Sequence, residues 1–243
     1  MENPSATQFN IQEQVTSVVN TMVSVITNPA GFFRSMPKSG GFNDPLIFVA
    51  AMGLVGAVVQ IILSIFGLGI AHSILMALGY IIIFPLVSAI FSFVGGGILF
   101  LIWKVMGSRE DYETAYRCVA YCAAITPIMT ILNLVPYLGA IVVNAWMAYL
   151  LVMASVEVHQ LLAKPSWIVF GIIAGVLTLA SISTQYTARK FTKEMDEIGK
   201  KMGKIEDMSP RRSRQEGGRI PERDAAGPGS WKAVALIYQR PQL

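Results

Sequence analysis

Charge is what this sequence has least of. Only 14% of its 243 residues are Asp, Glu, Lys or Arg, where a water-soluble domain carries about a quarter. The shortage is concentrated in blocks. No charged residue occurs in the 59 positions from Pro45 to Trp103, the 39 from Cys118 to Val156, or the 24 from Pro165 to Ala188. One helix needs roughly 20 apolar residues to cross about 30 Å of hydrocarbon. Three such blocks cannot be buried inside one small core, so a soluble domain is excluded and a polytopic membrane protein is expected.

Other absences narrow the chemistry. There are two cysteines and two histidines, and Cys118 and Cys122 lie one helical turn apart in an apolar run. They lack the ligand count of a zinc site and read as small buried hydrophobes. No P-loop, G-x-S-x-G elbow or H-E-x-x-H occurs, so no cofactor, metal or catalytic set is expected and the chain reads as non-enzymatic. No acid sits mid-span, where a proton-coupled transporter would bury one. A net charge of +4 arises from helix flanks and the tail, which gives no indication of nucleic-acid binding. The opening MENPSATQFNIQEQ has neither a basic n-region nor an apolar h-region. No cleaved leader is expected, and the first span would act as the insertion signal.

What is present reads as helices. Phe9 to Thr27 spaces Ile11, Val15, Val18, Val19, Met22, Val23 and Ile26 on one face, an amphipathic helix ended by Asn28-Pro29. It has almost no basic residues, so it could lie on the bilayer or pack on a partner. NPAGFFRSMPKSGGFNDP follows, with Phe32 and Phe33 as interfacial anchors and Arg34 and Lys38 as basic flanks. Span one is expected from about Pro45 to Phe66, with a turn at GLGIAH. Ile70 to Trp103 is longer than one span and short for two. With Pro85 and Gly95-Gly96-Gly97 as weak points, it reads as a short re-entrant or tilted helix leading into a span from Tyr80 to Lys104. Asp111 would N-cap a third span that runs to Leu134. A fourth covers Tyr137 to Leu162, and a fifth Trp167 to Tyr186.

A charged helix comes next, with Phe191, Met195, Ile198, Met202 and Ile205 at three- and four-residue steps. Beyond it Lys gives way to Arg, and EGGRIPERDAAGPG breaks any helix. The expected organisation is thus residues 1–44 amphipathic and interfacial, 45–187 transmembrane, 188–208 a charged helix, and 209–243 a disordered or out-of-frame tail. The fold class is all-α, a polytopic bundle of about five spans. Counting Lys and Arg by the positive-inside rule balances six against six for five spans, and eight against four for six. Six spans would need two of only about 17 residues in the second block, at the lower limit, so length favours five.

Three polar residues stand out near span ends: Arg117, Glu157 and His159. With span four centred near Tyr149, Glu157 falls about 11–12 Å from the midplane and His159 about 14 Å. Two helical residues apart means roughly 200° of rotation, so the pair cannot share a metal or a proton. Glu157 is expected at the hydrocarbon boundary, solvated or paired with a basic loop residue such as Arg117. Gly171 and Gly175 form a G-x-x-x-G pattern that would let helices approach closely, within the bundle or in a homo-oligomer. Lipid is the expected partner, with a protein partner possible through the N-terminal or C-terminal helix.

The order of segments resembles the Yip1-domain membrane proteins. The resemblance rests on TNPAGFFRSM, GGFNDPLIFVAAMG, YETAYRCVAYCAAITPIMTILNLVPYLGAI and YLLVMASVEVHQLLAKPSW, and covers about Thr27 to Thr184. It implies a bundle of about five spans with a cytosolic N-terminus, and a role in organising or recruiting membrane partners. Eukaryotic members act in vesicle trafficking and contact prenylated Rab-type GTPases. This chain lacks their long cytosolic N-terminal region and its short Tyr-Gly-type motifs. It resembles a prokaryotic-type member of the plasma (inner) membrane, to which neither an agreed activity nor catalytic residues transfer. A small transporter or channel built on the proline-broken spans is the rival reading.

Overall fold

The computed structural model describes residues 11–68 and 73–216, with side chains at 11, 74 and 205–216 left aside. Eight α-helices are described: α1 (Ile11–Thr27), α2 (Pro29–Ser35), α3 (Asn43–Ile65), α4 (Ile74–Val105), α5 (Tyr112–Cys122), α6 (Thr126–Leu132), α7 (Leu138–Glu157) and α8 (Ala163–Glu216). A 3-10 turn (Ala123–Ile125) joins α5 to α6, and no strand occurs among the described residues. The expected start of α1 at Phe9 and the turn at residues 69–72, His72 included, lie outside the described residues, as do positions 217–243. The chain divides by packing into two units, Met1–Ala188 and Arg189–Leu243.

Five helical stretches are long and apolar enough to cross a membrane: Asn43–Ile65, Leu75–Val105, Tyr112–Leu132, Leu138–Glu157 and Ala163–Lys204. The third and fourth lie at the centre of the bundle, with half of their most apolar stretch buried, whereas that of α4 contains no fully buried residue. Exposed Ile82, Leu86, Ile90, Phe91, Val94 and Leu101 on α4 are the surface expected against lipid tails, which are as apolar as the side chains themselves.

The stretch from Ile70 to Trp103 forms, from Ile74 on, one helix of 32 residues, not a short re-entrant piece followed by a span. Ser73 caps its start by accepting the Met76 N–H at 3.2 Å. At about 1.5 Å per residue it is some 48 Å long, which exceeds the hydrocarbon and is accommodated by tilt or overhang. Pro85 interrupts its hydrogen bonding without ending it, as membrane helices allow. At that point α3 comes close: a Cβ added at Gly53 would stand 3.0 Å from Pro85 Cα and 3.3 Å from Ser88 Oγ. The third span is broken instead, where the 3-10 turn precedes Thr126-Pro127 and α6 begins with the proline in its first turn. The fourth span ends at Glu157, five residues short of the expected Leu162. The fifth begins at Ala163 and is continuous with the charged helix as far as Glu216, past the residue-209 boundary expected from the composition change.

Local chemistry explains α2 and α5. Asn28 Oδ1 accepts the Gly31 N–H at 3.1 Å, and Pro29 occupies the first turn, where no donor is missed. Asp111 Oδ1 accepts from the Thr114 N–H and hydroxyl at 2.9 and 2.8 Å, the cap expected for the third span. These bonds hold the Asp111 carboxyl below its usual range. Phe33 is not an interfacial anchor: it is fully buried in the main core with Phe48, Met52, Trp103, Cys118, Leu150 and Phe170. Phe32 meets Tyr121 edge-on at 5.1 Å. α1 packs Val18, Met22, Val25 and Ile26 against this core and touches the 3-10 turn.

The α3–α4 crossing yields a stability test. Gly53→Val should lower stability in mild detergent by about 1–3 kcal/mol, the usual cost of overpacking, whereas Gly175→Val, where an added Cβ meets nothing within 4 Å, should leave the thermal midpoint unchanged. Equal midpoints for the two variants would refute close packing at Gly53.

Candidate functional site

Polar and charged side chains converge at one end of the bundle. Four segments meet there: residues 36–42 between α2 and α3, residues 106–111 between α4 and α5, the first turns of α5, and the end of α7. Lys38 Nζ donates to Glu110 Oε1 at 2.7 Å and to the Val158 carbonyl at 3.0 Å. It thereby satisfies a carbonyl beyond the end of α7 and ties it to the α4–α5 loop. The Thr114 hydroxyl, whose one proton is shared with Asp111 Oδ1, also lies 3.0 Å from the Lys38 carbonyl. Gly40 and Gly41, with φ of 128° and 81°, turn the chain in a conformation that L side chains rarely adopt. That turn places the Gly41 N–H on Glu113 Oε1 and the Gly41 carbonyl on Arg117 Nη1, both at 2.7 Å.

His159 is at the centre of this cap. Its ring stacks on Trp103 with centroids 4.0 Å apart, and its Nδ1 lies 2.7 Å from Ser108 Oγ. Because Ser108 Oγ already accepts the Glu110 N–H at 3.2 Å, its hydroxyl proton is free to point at Nδ1. With Ser108 donating to Nδ1 the ring proton is on Nε2, facing Cys118 Sγ at 3.9 Å; in the other tautomer Nδ1–H donates to Ser108 Oγ. Trp103 Nε1 donates to Ser155 Oγ at 2.7 Å, and Ser155 donates in turn to the Leu151 carbonyl. Trp103, Ser108, Cys118, Ser155 and His159 are all buried. A thiol, an imidazole and a hydroxyl stand in line here, but the line is sealed against any substrate. Among the described residues no group of three or more His, Cys, Asp or Glu could hold a metal ion.

The expected site residues fall in different places. Glu157 pairs with Arg34, not Arg117: Arg34 Nε and Nη2 reach its two oxygens at 2.8 and 2.9 Å. Arg34 is largely exposed and Glu157 only slightly, so this is a rim contact tying α2 to α7. It raises the Arg34 pKa further. Arg117 is buried, 3.8 Å from Glu113, and its Nε is buried without a hydrogen-bond partner. Glu157 and His159 do point apart, but for another reason than helical rotation. The helix ends between them, and Gln160 takes a left-handed φ of 54°. The widened turn it makes, with the His159 N–H on the Ala154 carbonyl and the Leu161 N–H on that of Ser155, carries His159 inward. Gly171 and Gly175 are exposed, with nothing within 4 Å of an added Cβ; the close helix approach expected of them is not made within the chain. That approach occurs at Gly53 instead.

The second feature is α1. Val18, Met22, Val25 and Ile26 of its apolar side pack on the core while Val15, Val19 and Val23 stay exposed, and Gln12, Glu13, Thr16, Ser17, Asn20, Thr21 and Ser24, with Phe32, line an open groove of about 720 Å³. This polar face was legible as helical spacing. That it forms a fixed wall of the bundle, and not a free arm, was not.

Burial, then the nearby charges of Lys38 and Lys104, lower the His159 pKa to about 4. The unfolded chain binds a proton on this ring near its ordinary value of 6.5, the folded chain only near 4, so the unfolded state holds more protons in between. Stability is therefore full above pH 6.5 and falls as the pH drops toward 4. Glu110 and Cys118 are the other titratable groups around the ring. Thermal unfolding in detergent at pH 7 and pH 4.5 should show a loss in the wild-type protein that is clearly smaller in His159→Gln. The same loss in both would remove His159 as its source.

A family model, the Yip1 domain, matches residues 23–184, two thirds of the chain. No curated protein and no solved structure matches it. The matched stretch begins within α1, takes in the whole ion-paired cap and ends inside the fifth span, so the bundle and its cap are the family's domain. Together with the five apolar spans, this makes the chain a membrane protein that belongs to the Yip1 domain family.

Proposed function

We propose that this protein is a non-enzymatic membrane organiser that recruits a partner to the bilayer through the polar groove of α1 and the adjoining cap. The observation that carries the reading is the division of labour on α1: Val18, Met22, Val25 and Ile26 hold it on the core, and it presents outward an open groove of uncharged polar groups and Glu13 beside exposed Val15, Val19 and Val23. A surface held in place by its own apolar side loses little conformational freedom on binding, which favours recognition by a folded partner. The sealed Cys118–His159–Ser108 line supports a structural role over a catalytic one. Arg34, Lys38, Lys104, Arg109, Arg117 and Lys164 flank the spans at the capped end, and six more Lys and Arg follow the fifth span between Arg189 and Lys204. The positive-inside rule is thus balanced for five spans, and it is the family resemblance, with its cytosolic N-terminus, that favours a cytosolic cap and groove, in the plasma membrane of a prokaryotic cell.

A photo-crosslinking residue placed at Thr16 or Asn20 should trap one protein species in stoichiometric yield in native membranes, and the adduct should disappear in Glu13→Lys/Asn20→Trp. The same probe at lipid-facing Ile82 should not trap it. Adducts to lipid alone at every position would refute recruitment through α1. Solute flux in liposomes that is abolished by Glu157→Ala would replace recruitment with transport.

A further inference from the structure

The depth at which α1 sits decides what kind of partner its groove can take. α1 touches the 3-10 turn Ala123–Ile125, and its Val18, Met22, Val25 and Ile26 belong to the core that includes Cys122 and Ala124. That turn is the middle of the third span, Tyr112–Leu132. It lies about 17–20 Å along the helix from Tyr112, and about 8–11 Å past Cys118, where the charge-free block begins. Exposed Ile47 on α3, Leu101 on α4 and Ile168 on α8 stand within about two helical turns of the cap, so the hydrocarbon begins close beneath it. The middle of the bilayer is about 15 Å from either face of that hydrocarbon. The part of α1 that packs on the turn is therefore on the cytosolic side of the bundle but inside the bilayer.

Its outward side has the pattern of a helix-packing surface. Thr16, Asn20 and Ser24 form one row at four-residue steps, and Glu13, Ser17 and Thr21 a second. Val15, Val19 and Val23, at 56%, 45% and 47% exposure, form a third beside them. Rows at this spacing are the ridges and grooves by which helices interdigitate, and small hydroxyl side chains let two backbones approach closely in a membrane. Among the described residues the side-chain amides of Gln12 and Asn20 have no hydrogen-bond partner, and hydrocarbon offers them none.

We propose, resting on the recruiting role of α1, that its partner is itself an integral membrane protein and that one spanning helix of that partner lies along the groove. The span that fits carries Ser, Thr, Asn or Gln opposite Gln12 and Asn20, small residues against the hydroxyl rows, and a Lys or Arg near Glu13. A soluble protein would not reach the part of the groove that lies beneath the cap. A phospholipid headgroup fits less well, because α1 has no Lys or Arg to hold a phosphate and Glu13 would repel one.

Depth and docking are tested separately. Depth is read from spin labels on single introduced cysteines in the purified full-length chain in phosphatidylcholine vesicles, with buried Cys118 and Cys122 as background. A label at Val19→Cys should collide several-fold more often with oxygen than with a water-soluble nickel chelate, as at lipid-facing Ile82→Cys. Arg109→Cys in the α4–α5 loop should show the reverse. Water-like collisions at Val19 would overturn the placement of α1 in the bilayer and leave recruitment standing. Docking is read in native membranes from the photo-crosslinking residue at Thr16. The peptide it joins should lie in a stretch of about 20 apolar residues of the trapped protein, and the yield should fall several-fold in Asn20→Ala but not in Asn20→Gln. A peptide from a water-soluble domain, or an unchanged yield in Asn20→Ala, would overturn docking by a span while recruitment stands. Adducts to lipid alone would overturn both.

Discussion

Hydrocarbon has no means of satisfying a charge or an unpaired backbone group, and this constraint orders the whole molecule. Charges are expelled from the three long blocks; those between Arg34 and Lys164 collect at one end of the bundle, and most of the rest follow the fifth span from Arg189 on. At the capped end they are not simply left to water: Lys38 bridges Glu110 and the end of α7, Glu113 and Arg117 close on the two polar groups of Gly41, and Arg34 clasps Glu157. Each of these contacts joins segments far apart in sequence, so the cap fixes the helix ends while lipid-facing side chains fix little. In the membrane the apolar surfaces of α4 and α8 have no drive to leave lipid for protein. Specific packing therefore has to come from close contacts such as Gly53 on Pro85, and from hydrogen bonds such as Trp103 to Ser155.

The buried imidazole shows how the cap and core depend on each other. His159 is kept neutral by burial and by the cations Lys38 and Lys104, and neutrality leaves Nδ1 free to accept from Ser108. Trp103 lies flat on the ring and anchors α4 to α7 through Ser155. A protonated ring would carry charge into the one place where the nearest charged groups include two lysines. The site thus behaves as a structural knot whose strength depends on pH, and its sealed geometry accounts for a cysteine and a histidine lying close without forming a reactive pair.

How much of this was legible in the sequence varies with the range of the interaction. The charge-free blocks and the Asn28-Pro29 and Asp111 signals are local, and the five spans, the end of α1 and the Asp111 cap follow from them, whereas the break at Thr126-Pro127 in the third span was not anticipated. Pro85 misled because its local effect, a lost hydrogen bond, is absorbed by a helix that continues beneath α3. Gly171-x-x-x-Gly175 does not make its close approach within the chain. The spacing is right for packing, but spacing does not say which face of the helix meets a neighbour, and this one faces away. Arg34, Lys38, Ser108 and Trp103 could not have been assigned to Glu157, Glu110 and His159 by any local rule, since each partner lies at least 51 residues away. The rotation argument for Glu157 and His159 gave the right outcome from the wrong premise, because it assumed a helix that in fact stops at Glu157.

The two ends of the bundle are therefore unequal. One carries uncharged, tight connections, held by contacts such as the Tyr137 N–H on Gln185 Oε1. The other carries a rigid polar cap and, beside it, α1 with its groove. An amphipathic helix that simply floated on the bilayer would offer its polar face in many orientations and would have to be ordered by whatever bound it. Here Val25, wholly buried, and the flanking Met22 and Ile26 hold the helix against the core, and the Asn28 cap and Pro29 fix the turn into α2. The surface is thus arranged before any partner arrives, and the apolar residues that arrange it are the same ones that would otherwise have bound lipid.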